Sequence, residues 1–361
     1  MSTPSGPASP RRRRRARDTG PVTLDEVARE AGVSLATASR VLNGSTRVVG
    51  EALRDRVHEA AARLDYSPNA AAQAMARGRS DVVGMVVHDI ADPYFSSIAA
   101  GVMMRAAGGR TIVTLAVSGG SAHREVEHVA TMRRQRVRAV LLAGSRWEDG
   151  AATDAMREEL AAYRAAGGRV AAITQDVLGV DTVLIDNRGD ARRLGTALLA
   201  AGYREFLVLA GPPDLSTAVD RTAGFGDALA AAGATVSSVH CPFTRDGAYA
   251  AVAELVAVDG PHPVDGRPPC LLAANDVMAV GAMAALRDAG LVVPDDVAVA
   301  GFDDIPTLRD IAPALTTVRL PLVDLGSAAF DLIDAAPGTR RRLERVTGEV
   351  LLRASTPPLG R

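Results

Sequence analysis

From Asp81 onward the chain alternates short, strongly apolar runs with alanine-rich stretches of helical pattern. The runs read "VVGMVVHDI", "TIVTLAVS", "AVLLAGS", "RVAAITQD", "TVLIDN", "FLVLAG", "CLLAAND" and "VAVAGFDD", most of them separated by roughly ten to twenty residues. Parallel strands need crossover connections, and helical crossovers cover both sheet faces, which explains strands that are apolar throughout. The alternation therefore predicts an α/β body of doubly wound parallel sheets. These strands are too many for one small sheet, so two similar subdomains are expected. "DGPHPVDGRPP", Asp259 to Pro269, reads as a Pro/Gly loop inside the second.

The residues before Asp81 have another texture. The chain's net charge is −1, yet residues 1–80 hold fourteen arginines against eight carboxylates, a net of +6, leaving −7 on the rest. A basic head on an acidic body is the electrostatic footprint of a nucleic-acid-binding module joined to something else. Residues 1–20, Pro/Ser/Gly-rich with arginines at 11–15, read as a disordered basic tail without the apolar core of a secretory signal. No apolar run is long enough to span a bilayer. Cys241 and Cys270, far apart in sequence, read as buried free thiols of a reducing cytosol.

Residues 22–64 predict three short helices. Thr23 with Glu26 forms a capping box, Leu24, Val27, Ala28 and Ala31 follow at helical spacing, and Gly32 supplies the left-handed stop. Ser34 caps a second helix with Ala38, Val41 and Leu42 inward. A third runs from Glu51 to Leu64 with Leu53, Val57, Ala60 and Leu64 on one face. Helix, glycine turn and helix make a helix-turn-helix. Ser34, Leu35, Ala36, Thr37, Ser39 and Arg40 stay on the outer side, where Arg40 can make a bidentate contact to guanine in the major groove. "NAAAQAMARG", from Asn69 to Gly78, is a further short helix, capped by Asn69 and too short to be stable alone in water.

"VTLDEVAREAGVSLATASRVLNG" followed by "LDYSPNAAAQAMARG" resembles the head of the lactose-repressor/galactose-repressor (LacI/GalR) family of bacterial transcription regulators. The likeness continues in order through "VVHDIADPYFSSIAAGV", "AGPPDLSTAVDRTAGF", "FTRDGAY", "AANDVMAVGAM", "VAGFDDIPTL" and "PALTTVRLPLVDLG", covering Val22 to about Pro358. The resemblance implies a DNA-binding head on a periplasmic-binding-protein-like body. Leu35, Ala36 and Arg40 match the base-reading positions. Thr23, Leu24, Ser34, Thr37, Ser39 and Asn43 match positions on the DNA backbone or neighbouring bases, and Asn69, Gln73 and Met75 belong to a hinge helix in the minor groove. Two residues depart from the family pattern. Gly50 stands where Ser or Thr commonly caps the third helix, and Met75 replaces a leucine wedge with a more flexible one. The implied organisation is a tail (1–20), a helix-turn-helix domain (21–67), a hinge helix (68–80) and an effector-binding and dimerisation domain (81–361). The last divides into an N-subdomain, about 81–180 plus 319–337, and a C-subdomain, about 181–318 plus 338–358.

Ligands of doubly wound sheets sit beyond the carboxyl ends of the strands. The polar residues at those ends are Asp89, Thr174, Asn275 and Asp303, with Arg221 on the helix after "AGPPD"; Tyr94, Phe95 and Phe243 supply aromatic walls. Each has an ordinary alternative: Asp89 can cap the next helix, Phe95 and Phe243 can be core, and Arg221 can be a solvated charge. By resemblance these positions line an effector cleft. Two carboxylates against one arginine suit a neutral sugar, since an anionic effector would call for more arginine. His123 and His128, five apart, do not share a metal-binding helix face, and neither a Gly-x4-Gly-Lys loop nor a Gly-x-Ser-x-Gly elbow occurs. The expectation is a cytoplasmic repressor without enzymatic activity, cofactor or metal. It binds a palindromic operator in double-stranded DNA as a homodimer, responds to a small-molecule effector and makes no membrane contact.

Overall fold

The protein is described by a computed structural model covering residues 22–43, 49–67, 80–109, 111–260, 266–336, 338 and 340–360. The tail and the hinge residues Asn69, Gln73 and Met75 lie outside these residues, as does the side chain of Asn43. The chain divides into two units, residues 1–80 and 81–361.

The first unit contains α1 (Leu24–Ala31), α2 (Leu35–Asn43) and α3 (Glu51–Arg63). Thr23 and Glu26 close both halves of the capping box, satisfying donors that a helix start leaves open. Gly32 takes the left-handed conformation (φ 63°) and its N–H meets the carbonyls of Ala28 and Arg29. Arg56 of α3 donates to the Ala31 carbonyl, tying the third helix to the turn. Ser34 accepts the Thr37 N–H at 3.1 Å and so caps α2. The core is small and alanine-rich: Val27, Ala28, Ala31, Ala38, Val57, Ala60 and Ala61 are buried. Leu53 departs from expectation. It is 39% exposed, because the inward stripe of α3 begins one turn later, at Val57.

The second unit opens with β1 (Val82–Val87), α4 (Pro93–Ala106), β2 (Ile112–Val117), α5 (Ala122–Arg134), β3 (Ala139–Ala143), α6 (Gly150–Ala165), β4 (Arg169–Ile173) and β5 (Asp181–Ile185). It continues with α7 (Asn187–Ala200), β6 (Glu205–Leu209), α8 (Ser216–Ala231), β7 (Thr235–Val239), α9 (Arg245–Asp259), β8 (Cys270–Ala273), α10 (Asp276–Asp288) and β9 (Ala298–Ala300). Last come β10 (Thr317–Arg319), α11 (Leu322–Asp334), β11 (Leu343–Val346) and β12 (Glu349–Leu351). One sheet has the order β11-β5-β4-β3-β1-β2 and a second β7-β6-β8-β9, while β10 and β12 pair by themselves. Every pairing in the two larger sheets is parallel; β10–β12 is antiparallel.

The expected subdomain limits at 180/181 and 337/338 do not coincide with the division of the sheets. β5 pairs with β4 and β11 with β5, so residues 181–185 and 343–346 complete the first sheet rather than entering the second. No helix separates β4 from β5, and that pause in the alternation reads in sequence as a boundary. β11 carries Glu344 and Arg345 at a sheet edge, where a polar strand is tolerated. The chain passes between the lobes beside Asp190, which is buried and accepts the Gly348 N–H at 2.8 Å. Helices α4 and α11 meet backbone to backbone at Gly101 and Gly326. A Cβ on Gly101 would lie 1.9 Å from the Val323 carbonyl, and one on Gly326 2.0 Å from that of Ile98. Among the described residues no helix is long and apolar enough to cross a membrane.

Candidate functional site

Two surfaces gather the residues singled out in sequence. On the head, α2 presents Leu35 (50% exposed), Ala36 and Arg40 to solvent while Ala38 is fully buried. Ser34 and Thr37 share a hydroxyl–hydroxyl hydrogen bond of 2.8 Å at the helix start. Ser39 is half-buried, and Thr23 is occupied by its own capping box. Leu24 differs from the others: it is half-buried and packs against the head core. The exposed face of α2 thus offers hydroxyls at its start, apolar groups in its first turn and one guanidinium in its last turn, a combination that fits phosphates and base edges.

In the body a cleft of about 790 Å³ opens beyond the carboxyl ends of the strands. Asp89, Tyr94, Phe95, Arg221, Phe243, Asn275 and Asp303 all line it. Thr174 does not: it is buried and its hydroxyl donates to Gln175 Oε1 at 3.0 Å.

Arg221 is the centre of the floor. Its side chain is 2% exposed and every arm is used: Nε donates to Asn187 Oδ1 at 2.9 Å, Nη1 to the Ala274 carbonyl at 2.8 Å and Nη2 to Asp303 Oδ1 at 2.8 Å. Its guanidinium also lies 3.8 Å from the centroid of Phe302. A charge so buried is tolerable only when paired and hydrogen-bonded, and here each guanidinium nitrogen makes a bond and one of them pairs with a carboxylate. Asp303 sits at φ 121°, where an L-residue is strained, a conformation that folds keep at sites of function. Burial pushes its carboxyl above the usual range, with Arg221 opposing. Asn275 caps α10 by accepting the Met278 N–H at 2.9 Å. Behind it, burial pushes Asp276 up to about 6 despite hydrogen bonds from Thr317 and the Ile305 N–H.

The opposite wall comes from the start of α4. Asp92, not Asp89, caps this helix by accepting the Tyr94 N–H, while Asp89 accepts the Ala91 N–H in a turn. Tyr94 and Phe95 meet edge to face with ring centroids 5.0 Å apart. Phe243 lies against Gly211, which is left-handed (φ 70°) and whose absent Cβ would fall 2.7 Å from the ring.

Sequence reasoning missed two residues on the cleft, His88 directly after β1 and Trp147 in the loop after β3. The same strand-end rule applied to β1 would have found His88. His88 Nε2 lies 3.1 Å from Glu125 Oε1, and buried Glu125 holds Arg146 through both guanidinium arms. Burial pushes the Glu125 carboxyl up, but His88 and Arg146 outweigh it and leave it below the usual range. Arg146 in turn joins the two lobes. Its carbonyl accepts the Ser216 N–H at 2.9 Å, beside a Thr217 N–H to Ser145 Oγ bond and a Trp147–Leu215 bridge.

His123 faces Glu127 and His128 the Val117 carbonyl, both on the exposed side of α5. Cys241 and Cys270 are buried free thiols. Among the described residues no group of three His, Cys, Asp or Glu side chains could hold a metal ion.

Residues 23–69 match the bacterial regulatory proteins of the lacI family and residues 196–356 a periplasmic binding protein-like domain. The HTH-type transcriptional regulator CelR of Thermobifida fusca is 33% identical over 335 residues, 91% of this chain and 92% of that protein. A solved transcriptional regulator CelR–cellobiose complex superposes with a TM-score of 0.62 at 30% identity, covering 92% of this chain and 99% of that one. The lac repressor dimer bound to operator and the anti-inducer ONPF gives a TM-score of 0.74 at 26% identity, over 93% and 99%. With a capped helix-turn-helix head, two parallel-sheet lobes around a cleft and this likeness along nearly its whole length, the chain belongs to the LacI family of bacterial transcriptional regulators.

Proposed function

We propose that the protein is a cytoplasmic repressor that binds a palindromic operator as a homodimer and is switched by a small neutral sugar. Residues 21–67 form the DNA-binding domain, 68–80 the hinge helix, and 81–361 the effector-binding and dimerisation domain. The observation that carries this reading is the floor of the cleft: Arg221 paired with Asp303 beside Asn275, facing the Tyr94–Phe95 wall. Carboxylate and amide groups that bind hydroxyls, with aromatic rings that take a sugar face, suit a neutral polyol. Arg221 is already paired with Asp303, so the floor offers an anion little net positive charge.

On the head, Arg40 reads a base, and Leu35 and Ala36 lie against the groove floor. The hydroxyls of Ser34, Thr37 and Ser39 hold phosphates with Thr23 and Asn43, and Leu24 supports that surface from the core. Dimerisation is supported by exposed apolar side chains on neighbouring elements of the first lobe, Met103 and Met104 on α4 with Ile112 (63% exposed), Leu115 and Val117 on β2. The protein acts by binding and carries out no catalysis. Selection of genomic fragments by the full-length protein, followed by release with a saccharide panel, tests the whole reading. An enriched fragment without two-fold symmetry would contradict the dimer, and failure to enrich any fragment would contradict the repressor.

A further inference from the structure

The cleft is larger than one sugar ring needs, and its lining is not uniform. At about 790 Å³ it approaches the upper end of the roughly 300–1,000 Å³ typical of small-molecule sites. Its charged side chains come from the start of α4 and the turn before it (Asp89, Asp92), from the Arg221–Asp303 floor and from the start of α9 (Arg245, Asp246). The residues joined to Trp147 by backbone and hydroxyl contacts, Gly120, Leu215, Ser145 and Thr217, are uncharged. Trp147 is the only tryptophan in the chain. Its indole N–H donates to the Gly120 carbonyl at 2.6 Å, so the ring's polar atom is already satisfied. Its backbone is bridged to Leu215 of the other lobe, with the Glu148 N–H on the Asp214 carbonyl at 2.8 Å beside it. A flat aromatic group fixed from both lobes, with its donor spent, can offer a ligand its apolar surface at little ordering cost.

We propose that the effector is a saccharide of at least two rings. One ring is bound at the Arg221–Asp303–Asn275 floor and the next is stacked on Trp147, which makes Trp147 the residue that selects for length. This rests on the reading of the cleft as a sugar-effector site. A second ring gains stacking on a pre-fixed platform, whereas a single ring held at the charged floor would leave the Trp147 part of the cleft to water.

The test is calorimetric titration of the full-length protein with glucose, galactose and xylose, and with cellobiose, maltose, lactose and xylobiose. Tryptophan emission is recorded in parallel. The best disaccharide is expected to bind about tenfold or more tighter than its own monosaccharide and to shift the emission, which comes from Trp147 alone. Trp147→Ala should abolish that preference while leaving monosaccharide affinity within about twofold, and Trp147→Phe should restore much of it. A monosaccharide binding as tightly as its disaccharide overturns the proposal and leaves the sugar-effector reading intact. Equal loss of both ligands in Trp147→Ala also overturns it, since that is the signature of a disturbed lobe contact. No saccharide binding at all overturns this proposal and the sugar reading together.

Discussion

Arg221 and Asp303 stand 82 residues apart in sequence and meet at 2.8 Å beneath the cleft, both almost fully buried. The pair joins α8 to the end of β9, so the floor of the site and the second lobe are held by the same contact. Removing one member leaves the other charge buried without its partner, which costs on the order of 3–5 kcal/mol. Arg221→Ala should lower the unfolding free energy of the body by that amount, read from urea titration, and abolish effector binding. Arg221→Met with Asp303→Leu should recover stability but not binding. A double variant no more stable than Arg221→Ala would show that the pair's geometry, not its charge, holds the lobe.

Asp276 gives the body a pH dependence of definite sign. Its carboxyl titrates near 6 in the fold, above the roughly 3.9 of an unfolded aspartate. The folded state therefore holds this proton to higher pH. The stability it contributes is complete below about pH 4 and is lost as pH rises through 6. Asp276→Asn should flatten that part of the profile relative to the parent. Denaturation midpoints at pH 4, 5, 6 and 7 measure it, and identical slopes in the two proteins would refute the assignment.

Glu125 is expected to set the contact between lobes without touching DNA. It grips Arg146, whose carbonyl receives the Ser216 N–H. Glu125→Gln keeps the shape and removes the charge. Amide exchange at Ser216 and Thr217 should speed up about tenfold or more, while the amides of α1–α3 stay as they were. Unchanged exchange at Ser216 would mean that the loop is held by its backbone pairing alone.

Arg40→Ala should weaken operator binding by about 1–3 kcal/mol and relax the preference at one base in each half-site. Competition binding against a single-base substitution series reads this directly. A uniform loss across all sequences would make Arg40 a phosphate contact.

The helices of the head and the central strands were legible because each announces itself locally. The Thr23–Glu26 box, the Gly32 stop and the unbroken apolar run of β1 need no distant partner to be recognised. Elements defined by distant partners were not. β7, with a mostly exposed Thr-Val-Ser-Ser-Val sequence, and the short β10, β11 and β12 become strands only through neighbours far along the chain. Three of the four residues named from strand ends, Asp89, Asn275 and Asp303, meet at one cleft, since that rule follows from topology. Thr174 failed because the rule fixes where a strand ends and not which way the last side chain turns. Trp147 stands four residues beyond the end of β3, and its place on the cleft depends on the bridge to Leu215 of the other lobe, which no local pattern announces.

In the proposed function the cleft in the body controls the affinity of the head for DNA. By linkage, an effector that changes operator affinity must have its own affinity changed by operator in the same ratio. The most direct measurement is fluorescence anisotropy of a labelled palindromic operator bound by the full-length protein, titrated with the best-binding saccharide and repeated with Arg221→Ala. The expected result is an operator Kd that shifts about tenfold or more in the parent protein, roughly 1.4 kcal/mol of coupling, and does not shift in the variant. An operator Kd that stays constant while the saccharide saturates the parent protein would contradict the account.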